Sequence, residues 1–140
     1  YDFLEENGFK YSSRLFPINV GLYGDNNFPV DLFNPARRGK FYEIPVRPFS
    51  ILGVRIPFSG GVYFRILPKW VIKYFIRKLN ARNEGVIVYL HPWEFCRNIP
   101  KVKTSLVGKV TTYWGIKKNE RKLEDILKNF KFGPMYELLK

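Results

Sequence analysis

His91 is the side chain in this sequence best suited to move a proton, and it directly follows an apolar run that ends at Leu90. Because imidazole titrates near neutral pH, a histidine can act as a general acid or base, or as a metal ligand. Trp93 offers a flat apolar face suited to a sugar ring, and Glu94 supplies a carboxylate three residues away. Alternatively, His91 is a hydrogen-bonded residue at a strand end and Trp93 packs on the core. Position alone leaves both interpretations open.

The residue counts exclude several other chemistries. The 140 residues contain one His and one Cys, which excludes an intramolecular disulfide, a multi-cysteine zinc motif and a site built from two histidines of this chain. The serine pair at 12–13 lacks the glycines of a nucleophile elbow, and no Lys-Ser/Thr pair follows the Ser-Gly-Gly at 59–61. Cys96 lies near His91 in sequence, but a Cys–His catalytic pair also needs a third, orienting group. His91 remains the leading candidate.

The charge balance is strongly basic, with 24 Lys+Arg against 12 Asp+Glu and a formal net charge of +12. Such a charge attracts polyanions, including nucleic acid and acidic polysaccharide. The basic residues are scattered, with their densest patches at 37–40, 101–103 and 117–122, and no run of five or six like charges marks a nucleic-acid arm. We therefore prefer a solvated basic surface, and nucleic acid is the less favoured partner. Aromatic residues make up 18% of the chain, which is typical of surfaces that bind sugars, bases or proteins.

The elements around His91 predict an α/β arrangement. Residues 86–90 form a continuous β-branched and apolar run, typical of a strand buried on both faces of a parallel sheet. His91 would then lie at the carboxyl end of that strand, where sites form in α/β folds. Before it, residues 70–79 carry apolar side chains on one helical face, and Pro68 fits the first turn of that helix. We expect this helix to cover a sheet, as half of a βαβ unit.

The rest of the chain is predicted from local patterns. A helix at 2–7 ends at Gly8, residues 20–39 form a loop, and a long polar connection spans 96–118. Strands are predicted at 41–46, 51–56 and 62–66, a last helix opens near Asn119 as its N-cap, and 132–139 form a closing strand or short helix. No apolar stretch reaches the roughly 18 residues that span a bilayer. With no signal peptide visible and a single Cys, a cytoplasmic location is favoured.

Four segments resemble motifs of the polysaccharide deacetylases. Residues 8–18 (GFKYSSRLFPI) are similar to their GF-YDSS-FP-I stretch. Residues 60–68 (GGVYFRILP), 89–95 (YLHPWEF) and 131–135 (KFGPM) resemble motifs of an exopolysaccharide-associated subgroup that carries a C-terminal domain of unknown function. The order and spacing of the motifs hold from Gly8 to the end, so the resemblance covers nearly the whole chain.

The resemblance implies the fold class α/β, as the C-terminal half of a distorted (β/α) barrel with long loops. Residues 1–140 would form a single unit, without the N-terminal metal-binding half. Family members hydrolyse N-acetyl groups of amino-sugar polymers, using zinc or another divalent metal held by one Asp and two His, with an Asp as base. Those residues belong to the N-terminal half, so we expect no metal ligand and no cofactor in this chain. The polypeptide alone is expected to be inactive.

The motif matches also imply residue roles. His91 matches the general acid, with Leu90 beside the acetyl methyl group. Three further motif residues are taken as substrate contacts: Tyr63, Arg65 and Trp93. Ser12 stands where the family has an Asp of the charge network around the catalytic histidine. Motif residues without an assigned role are Tyr11, Ser12, Gly60, Gly61 and Glu94.

Three functions remain open at this point. The first is the C-terminal part of a polysaccharide deacetylase, whose partners are an amino-sugar polysaccharide and a separate N-terminal half or neighbouring protein. The second is a non-catalytic carbohydrate-binding or scaffold relic of that family. The third, unrelated to the resemblance, is a basic nucleic-acid-binding module.

Overall fold

The computed structural model describes residues 1–21 and 23–139 and shows a mixed α/β protein with small sheets. Within these described residues there are five α-helices: α1 (Asp2–Glu6), α2 (Gly61–Ile66), α3 (Lys69–Asn80), α4 (Leu106–Tyr113) and α5 (Ile116–Asn129). The strands are β1 (Tyr11–Ser12), β2 (Tyr42–Glu43), β3 (Phe49–Ile51) and β4 (Val54–Ile56). There are also two 3₁₀ helices, at Pro92–Phe95 between α3 and α4 and at Met135–Leu139 after α5.

The contacts divide the chain into two compact units. The first unit contains Tyr1–Pro57, Gly85–Ile87 and the residues from Pro134 onward, and the second contains Phe58–Glu84 and Val88–Gly133. The first unit therefore holds α1, all four strands and the second 3₁₀ helix. The second unit holds α2 to α5 and the first 3₁₀ helix. The prediction that residues 1–140 form the C-terminal portion of a larger deacetylase-like domain stays a prediction.

The first unit is built on two short strand pairs. β1 and β2 run parallel, with Tyr11 opposite Tyr42 and Ser12 opposite Glu43, whereas β3 and β4 form an antiparallel hairpin. Phe33, inside the predicted loop 20–39, adds an antiparallel bridge to Glu43, so this loop is tied to β2. Its buried apolar residues are Phe16, Ile18, Ala36, Phe41, Ile44, Phe49 and Ile87.

The second unit is organised around α5, which contacts α2, α3 and the first 3₁₀ helix. The buried face of α3 consists of Ile72, Phe75, Ile76 and Leu79, which confirms the helix predicted from the apolar spacing at 70–79. Its partner in this unit is α5, where the sequence predicted a sheet. Other buried apolar residues are Phe58, Phe64, Ile116 and Ile126.

The prediction that residues 86–90 form a strand buried on both faces is wrong. Only Ile87 is buried in this segment, and among the described residues its one strand pairing is a parallel bridge between Tyr89 and Gly60. An apolar run shows that a segment suits an extended conformation, but it does not show that strands lie on either side of it.

Two other strand predictions are also wrong. Residues 51–56 do not form one strand; the chain reverses at Leu52 (φ 48°) and Gly53 (φ 79°), which separates β3 from β4. Residues 62–66 lie in helix α2, although their β-branched and aromatic side chains favour a strand. The last carbonyls of α2 accept hydrogen bonds from Lys122, so tertiary contacts override the local preference.

The polar connection predicted at 96–118 contains α4 and the start of α5. Ser105 begins α4, because its side chain accepts a hydrogen bond from Gly108 N at 3.1 Å. Asn119 is not the N-cap of the last helix. That helix starts at Ile116, with Gly115 at its N-cap in the left-handed region (φ 79°), and Asn119 is buried inside it.

The predictions at both termini agree better with the structure. α1 ends just before Gly8, whose φ of 81° fits a glycine that stops a helix. Of the two alternatives for 132–139, the short helix is observed. Over the described residues no barrel is closed, and the half barrel stays a prediction. None of the helices in the described part of the chain is long and apolar enough to cross a membrane.

Candidate functional site

His91 is exposed and directly precedes the 3₁₀ helix Pro92–Phe95. The extended segment before it is fixed by two backbone hydrogen bonds, from Tyr89 N to Ser59 O (3.2 Å) and from Gly61 N to Tyr89 O (3.3 Å). The Tyr89 ring lies edge-on to the His91 ring, with their centroids 6.3 Å apart. The imidazole therefore stands on an anchored backbone, and one of its sides borders a tyrosine.

Gly60 and Gly61, the motif glycines, allow this anchoring. A Cβ on Gly60 would lie 2.2 Å from the Tyr89 ring, so any larger residue would displace this tyrosine. Tyr89 precedes the turn formed by residues 91–94, which we call the His91 turn. Gly61 has a φ of 52°, a conformation that other residues rarely adopt. The Gly-Gly pair therefore positions the backbone and offers no side-chain chemistry.

Glu94 closes the turn at His91. Its Oε1 accepts a hydrogen bond from His91 N at 3.2 Å, and Glu94 N donates to His91 O at 2.9 Å. The glutamate is fully buried, with an exposed fraction of 0%. The buried carboxylate thus contacts the backbone of His91 and fixes its position.

Arg65 pairs with this buried carboxylate, through its Nε at 3.0 Å from Glu94 Oε2. Its two terminal nitrogens donate to three backbone carbonyls, those of Thr111 (2.6 Å), Thr112 (3.2 Å) and Trp114 (2.8 Å). These carbonyls lie at the end of α4, where unpaired backbone oxygens give the helix a partial negative charge. Arg65 therefore joins the His91 turn to the carboxyl end of α4.

Lys122 plays a similar part at the end of α2. Its ammonium donates to the carbonyls of Phe64, Arg65 and Leu67 at 2.8–2.9 Å. Burial, together with the neighbouring positive charges of Arg65 and Lys118, lowers the pKa of Lys122 to about 8. Burial is the larger cause of this shift, and the two neighbouring cations add to it.

The other residues predicted to contact substrate lie in the same unit but differ in exposure. Trp93 is 41% exposed, and the Arg65 guanidinium lies 5.0 Å from its ring centroid. Leu90 and Tyr63 are partly exposed, whereas Arg65 is only 3% exposed. The structure thus brings the His91 backbone, Glu94, Arg65 and Trp93 together, and leaves an imidazole and an indole at the surface. The substrate-contact roles stay predictions.

Ser12 and Tyr11 belong to the first unit. The Ser12 hydroxyl donates to Glu43 Oε2, and the backbone N–H groups of Arg14 (2.8 Å) and Leu15 (3.1 Å) donate to Glu43 Oε1. Glu43 is fully buried, so a satisfied carboxylate lies beside Ser12, for which the resemblance implies an aspartate in the family. Tyr11 pairs with Tyr42 in the two-stranded sheet. The sequence analysis missed Glu43, which no local pattern distinguishes from a surface glutamate.

The zinc or other divalent metal implied by the resemblance finds no fitting group of ligands among the residues that the structure describes. Among residues 1–21 and 23–139, no three His, Cys, Asp or Glu side chains are grouped so that they could hold a metal ion. The buried carboxylates of Glu43 and Glu94 are already occupied by protein donors.

A second feature of this unit is a groove that the sequence analysis did not predict as a site. Its cavity volume is about 460 Å³, and we call it the basic groove; it is lined by residues 65–69, Trp114, Gly115, Lys118, Arg121 and Lys122. Four of these side chains, besides the buried Arg65, carry positive charge: Lys69, Lys118, Arg121 and Lys122. The local signal was the basic patch at 117–122, where a spacing of four residues places Lys118 and Lys122 on one face of α5.

Comparison with known proteins identifies a family. The family model described as Domain of unknown function (DUF3473) matches residues 12–140. No curated protein and no solved structure matches the chain. The match covers both units, including the segments around Ser12, Gly60 and His91.

Proposed function

The chain belongs to the family of the domain of unknown function DUF3473, which is known from polysaccharide deacetylase proteins, and on this premise we propose a function. We infer that it is the C-terminal part of a polysaccharide deacetylase. It would take part in the hydrolysis of N-acetyl groups on amino-sugar polymers when a metal-binding N-terminal half completes it. The observation that carries the proposal is the family match over residues 12–140, which contains the His91 motif.

His91 is the proposed general acid. In amide hydrolysis, water adds to the acetamide carbonyl, the C–N bond breaks, acetate leaves, and the amine nitrogen must gain a proton. A protonated imidazole can donate that proton and is then restored from solvent. The exposed ring and the anchored backbone support this role, because a proton donor must reach substrate and hold its direction.

Glu94 and Arg65 are proposed as positioning residues. Glu94 contacts the His91 backbone, and Arg65 holds Glu94 while lying near the Trp93 ring. The exposed indole of Trp93 would then contact the face of a sugar ring near the acid. In this proposal Arg65 acts on substrate only through Glu94 and Trp93, because its guanidinium is buried.

The test is an acetate-release assay on the completed protein. The chain is co-expressed with the polypeptide encoded directly upstream, Zn²⁺ is added, and chitooligosaccharides serve as substrate. We expect His91→Ala to lower the turnover rate by about 10²-fold or more, the usual contribution of general acid–base catalysis. Cys96→Ala is the matched control, because Cys96 is exposed, five residues away and expected to leave the rate unchanged.

Two results would contradict the catalytic proposal: no acetate release from any completed protein, or an unchanged rate in His91→Ala. The second candidate, a non-catalytic carbohydrate-binding protein, is supported by the exposed indoles of Trp93 and Trp114. It predicts oligosaccharide binding that is weakened by Trp93→Ala and insensitive to His91→Ala. Binding measured by tryptophan fluorescence separates the two.

A further inference from the structure

We propose that the basic groove binds an acidic polysaccharide, with sugar carboxylates against Lys118 and Arg121 and a pyranose ring against Trp114. This inference rests on the proposed function in taking a sugar polymer as the ligand. It adds that the polymer carries negative charge, and it locates a binding surface apart from the His91 turn.

The shape of the groove suits a ligand of sugar size. Its volume of about 460 Å³ lies within the range of small-molecule sites. The end of α2 forms one wall and the start of α5 forms the other, with Trp114 and Gly115 between them. None of the lining residues that the structure describes carries a carboxylate, so an anion entering the groove meets no like charge among them.

Several cations of the groove lack anionic partners. In the described part of the chain, neither Lys118 nor Arg121 has an ion pair, and Lys122 bonds to carbonyl oxygens alone. Lys69 lies 3.7 Å from Asp125, which is also bound by Lys73. Cations that repel one another destabilise a fold, and a bound anion would relieve that repulsion. Burial is the main cause of the lowered pKa of Lys122, and the positive charges of Arg65 and Lys118 add to it.

Trp114 provides an exposed aromatic face on a rigid backbone. The indole is 59% exposed, while the Trp114 carbonyl is held by Arg65 at 2.8 Å. The next residue, Gly115, has a φ of 79°, and a Cβ there would lie 2.6 Å from Arg65 O. Because the backbone on both sides is fixed, the indole can offer a stable surface for stacking at small entropic cost.

The positive surface continues along α5 beyond the basic groove. Arg121 also lines a depression of about 360 Å³ together with Lys117 and Arg97. Those two residues line a third depression, of about 450 Å³, which includes Lys101 and Lys109. The one carboxylate among the described lining residues is Glu120, which pairs with Arg97 at 2.9 Å. Three neighbouring depressions lined by cations suit a polymeric anion better than a single small anion.

The aromatic content of these depressions favours a polysaccharide over a nucleic acid. Proteins that bind single-stranded nucleic acids stack successive bases on several aromatic platforms. Here the lining residues include Trp114 in the first depression and Tyr113 in the third, and the Tyr113 hydroxyl is held by Pro100 O and Val102 N. One exposed indole beside several lysines and arginines suits a charged sugar with one stacked ring.

The test is isothermal titration of the full chain with oligogalacturonate, a carboxylated sugar, at low salt and pH 7. Neutral chitooligosaccharide of the same length and a single-stranded DNA oligomer serve as comparison ligands. We expect oligogalacturonate to bind more tightly than both, and to weaken about tenfold or more at 0.5 M NaCl. The double variant Lys118→Gln/Arg121→Gln should weaken it about tenfold, and Trp114→Ala should do so at unchanged charge.

The matched control is Lys128→Gln/Lys131→Gln, which removes two exposed charges that line none of the depressions. Equal weakening in the control and the groove variant overturns the proposal, as does neutral sugar binding as tightly as oligogalacturonate. Tighter DNA binding assigns the surface to nucleic acid and also overturns it. Because the titration needs no catalysis, binding without deacetylation refutes the proposed function alone, and deacetylation without groove binding refutes this inference alone.

Discussion

The buried Arg65–Glu94 pair offers the sharpest test of how the His91 turn is held. Glu94→Gln keeps the shape of the side chain and removes its charge. The Nε–Oε2 distance of 3.0 Å corresponds to a gross Coulomb attraction of about 5.5 kcal/mol at an effective dielectric constant of about 20. Desolvation of both groups offsets much of that attraction, so the intact pair contributes less than this figure.

The variant nevertheless leaves the guanidinium of Arg65 buried without its anion. Removing one partner of a buried pair typically costs about 3–5 kcal/mol, and we expect a loss of that size in the free energy of unfolding. The matched control is Glu120→Gln, which makes the same chemical change in an exposed pair at 2.9 Å from Arg97. There we expect a loss of at most about 1 kcal/mol.

Urea unfolding followed by tryptophan fluorescence measures both variants. All three tryptophans of the chain (Trp70, Trp93 and Trp114) lie in the second unit, so the signal reports the unit that contains both ion pairs. The midpoint should move far more for Glu94→Gln than for Glu120→Gln, at a similar urea dependence. Equal shifts would refute the reasoning, because they would mean that burial of Glu94 adds nothing to the pair.

Two further predictions concern Lys122 and Ser12. The pKa of Lys122 is lowered to about 8 in the folded chain, against an ordinary value of 10.5. Between these two pH values the unfolded chain therefore holds a proton on Lys122 that the folded chain has lost, and the free energy of unfolding rises with pH. We expect a rise of about 1 kcal/mol after allowance for solvent screening. Urea midpoints at pH 7.5 and 9.5 should show this rise in the wild type and a smaller one in Lys122→Met; identical pH dependence in both would contradict it. Ser12→Ala removes a hydrogen bond to the buried Glu43 carboxylate and should cost about 1–3 kcal/mol by thermal unfolding followed with far-UV circular dichroism. Ser50→Ala, at an exposed position in β3, should change stability by less than about 0.5 kcal/mol, and an equal loss in both variants would contradict the role of Glu43.

Local patterns predicted those elements whose cause is local. The apolar spacing at 70–79 predicted α3, and Gly8 correctly marked the end of α1. The same reasoning was wrong for α2, whose residues favour a strand by composition. Three hydrogen bonds from Lys122, more than fifty residues further along the chain, satisfy the end of that helix. Local propensity contains no information about a partner so distant in sequence.

The segment before His91 shows a second limit of local patterns. Its apolar run was typical of a central parallel strand, yet one bridge to Gly60 is its only described pairing. Whether an extended segment becomes a strand depends on neighbours that supply hydrogen bonds along its whole length. Likewise, Asn119 is a good N-cap by type, but its side chain donates to Glu94 O inside the second unit.

The sequence by itself determined the candidate acid, the net charge of +12 and the family to which the motifs belong, because residue identity and local spacing carry that information. Only the tertiary structure decided which charged side chains form buried ion pairs and which stay exposed, without an ion-pair partner among the described residues. Arg65 and Glu94 are 29 residues apart and form a buried ion pair, whereas Lys118 and Arg121 are exposed and line a groove. The physical reason is that burial and pairing depend on long-range contacts, which turn residues of the same charge into either supports of the fold or a surface for a ligand.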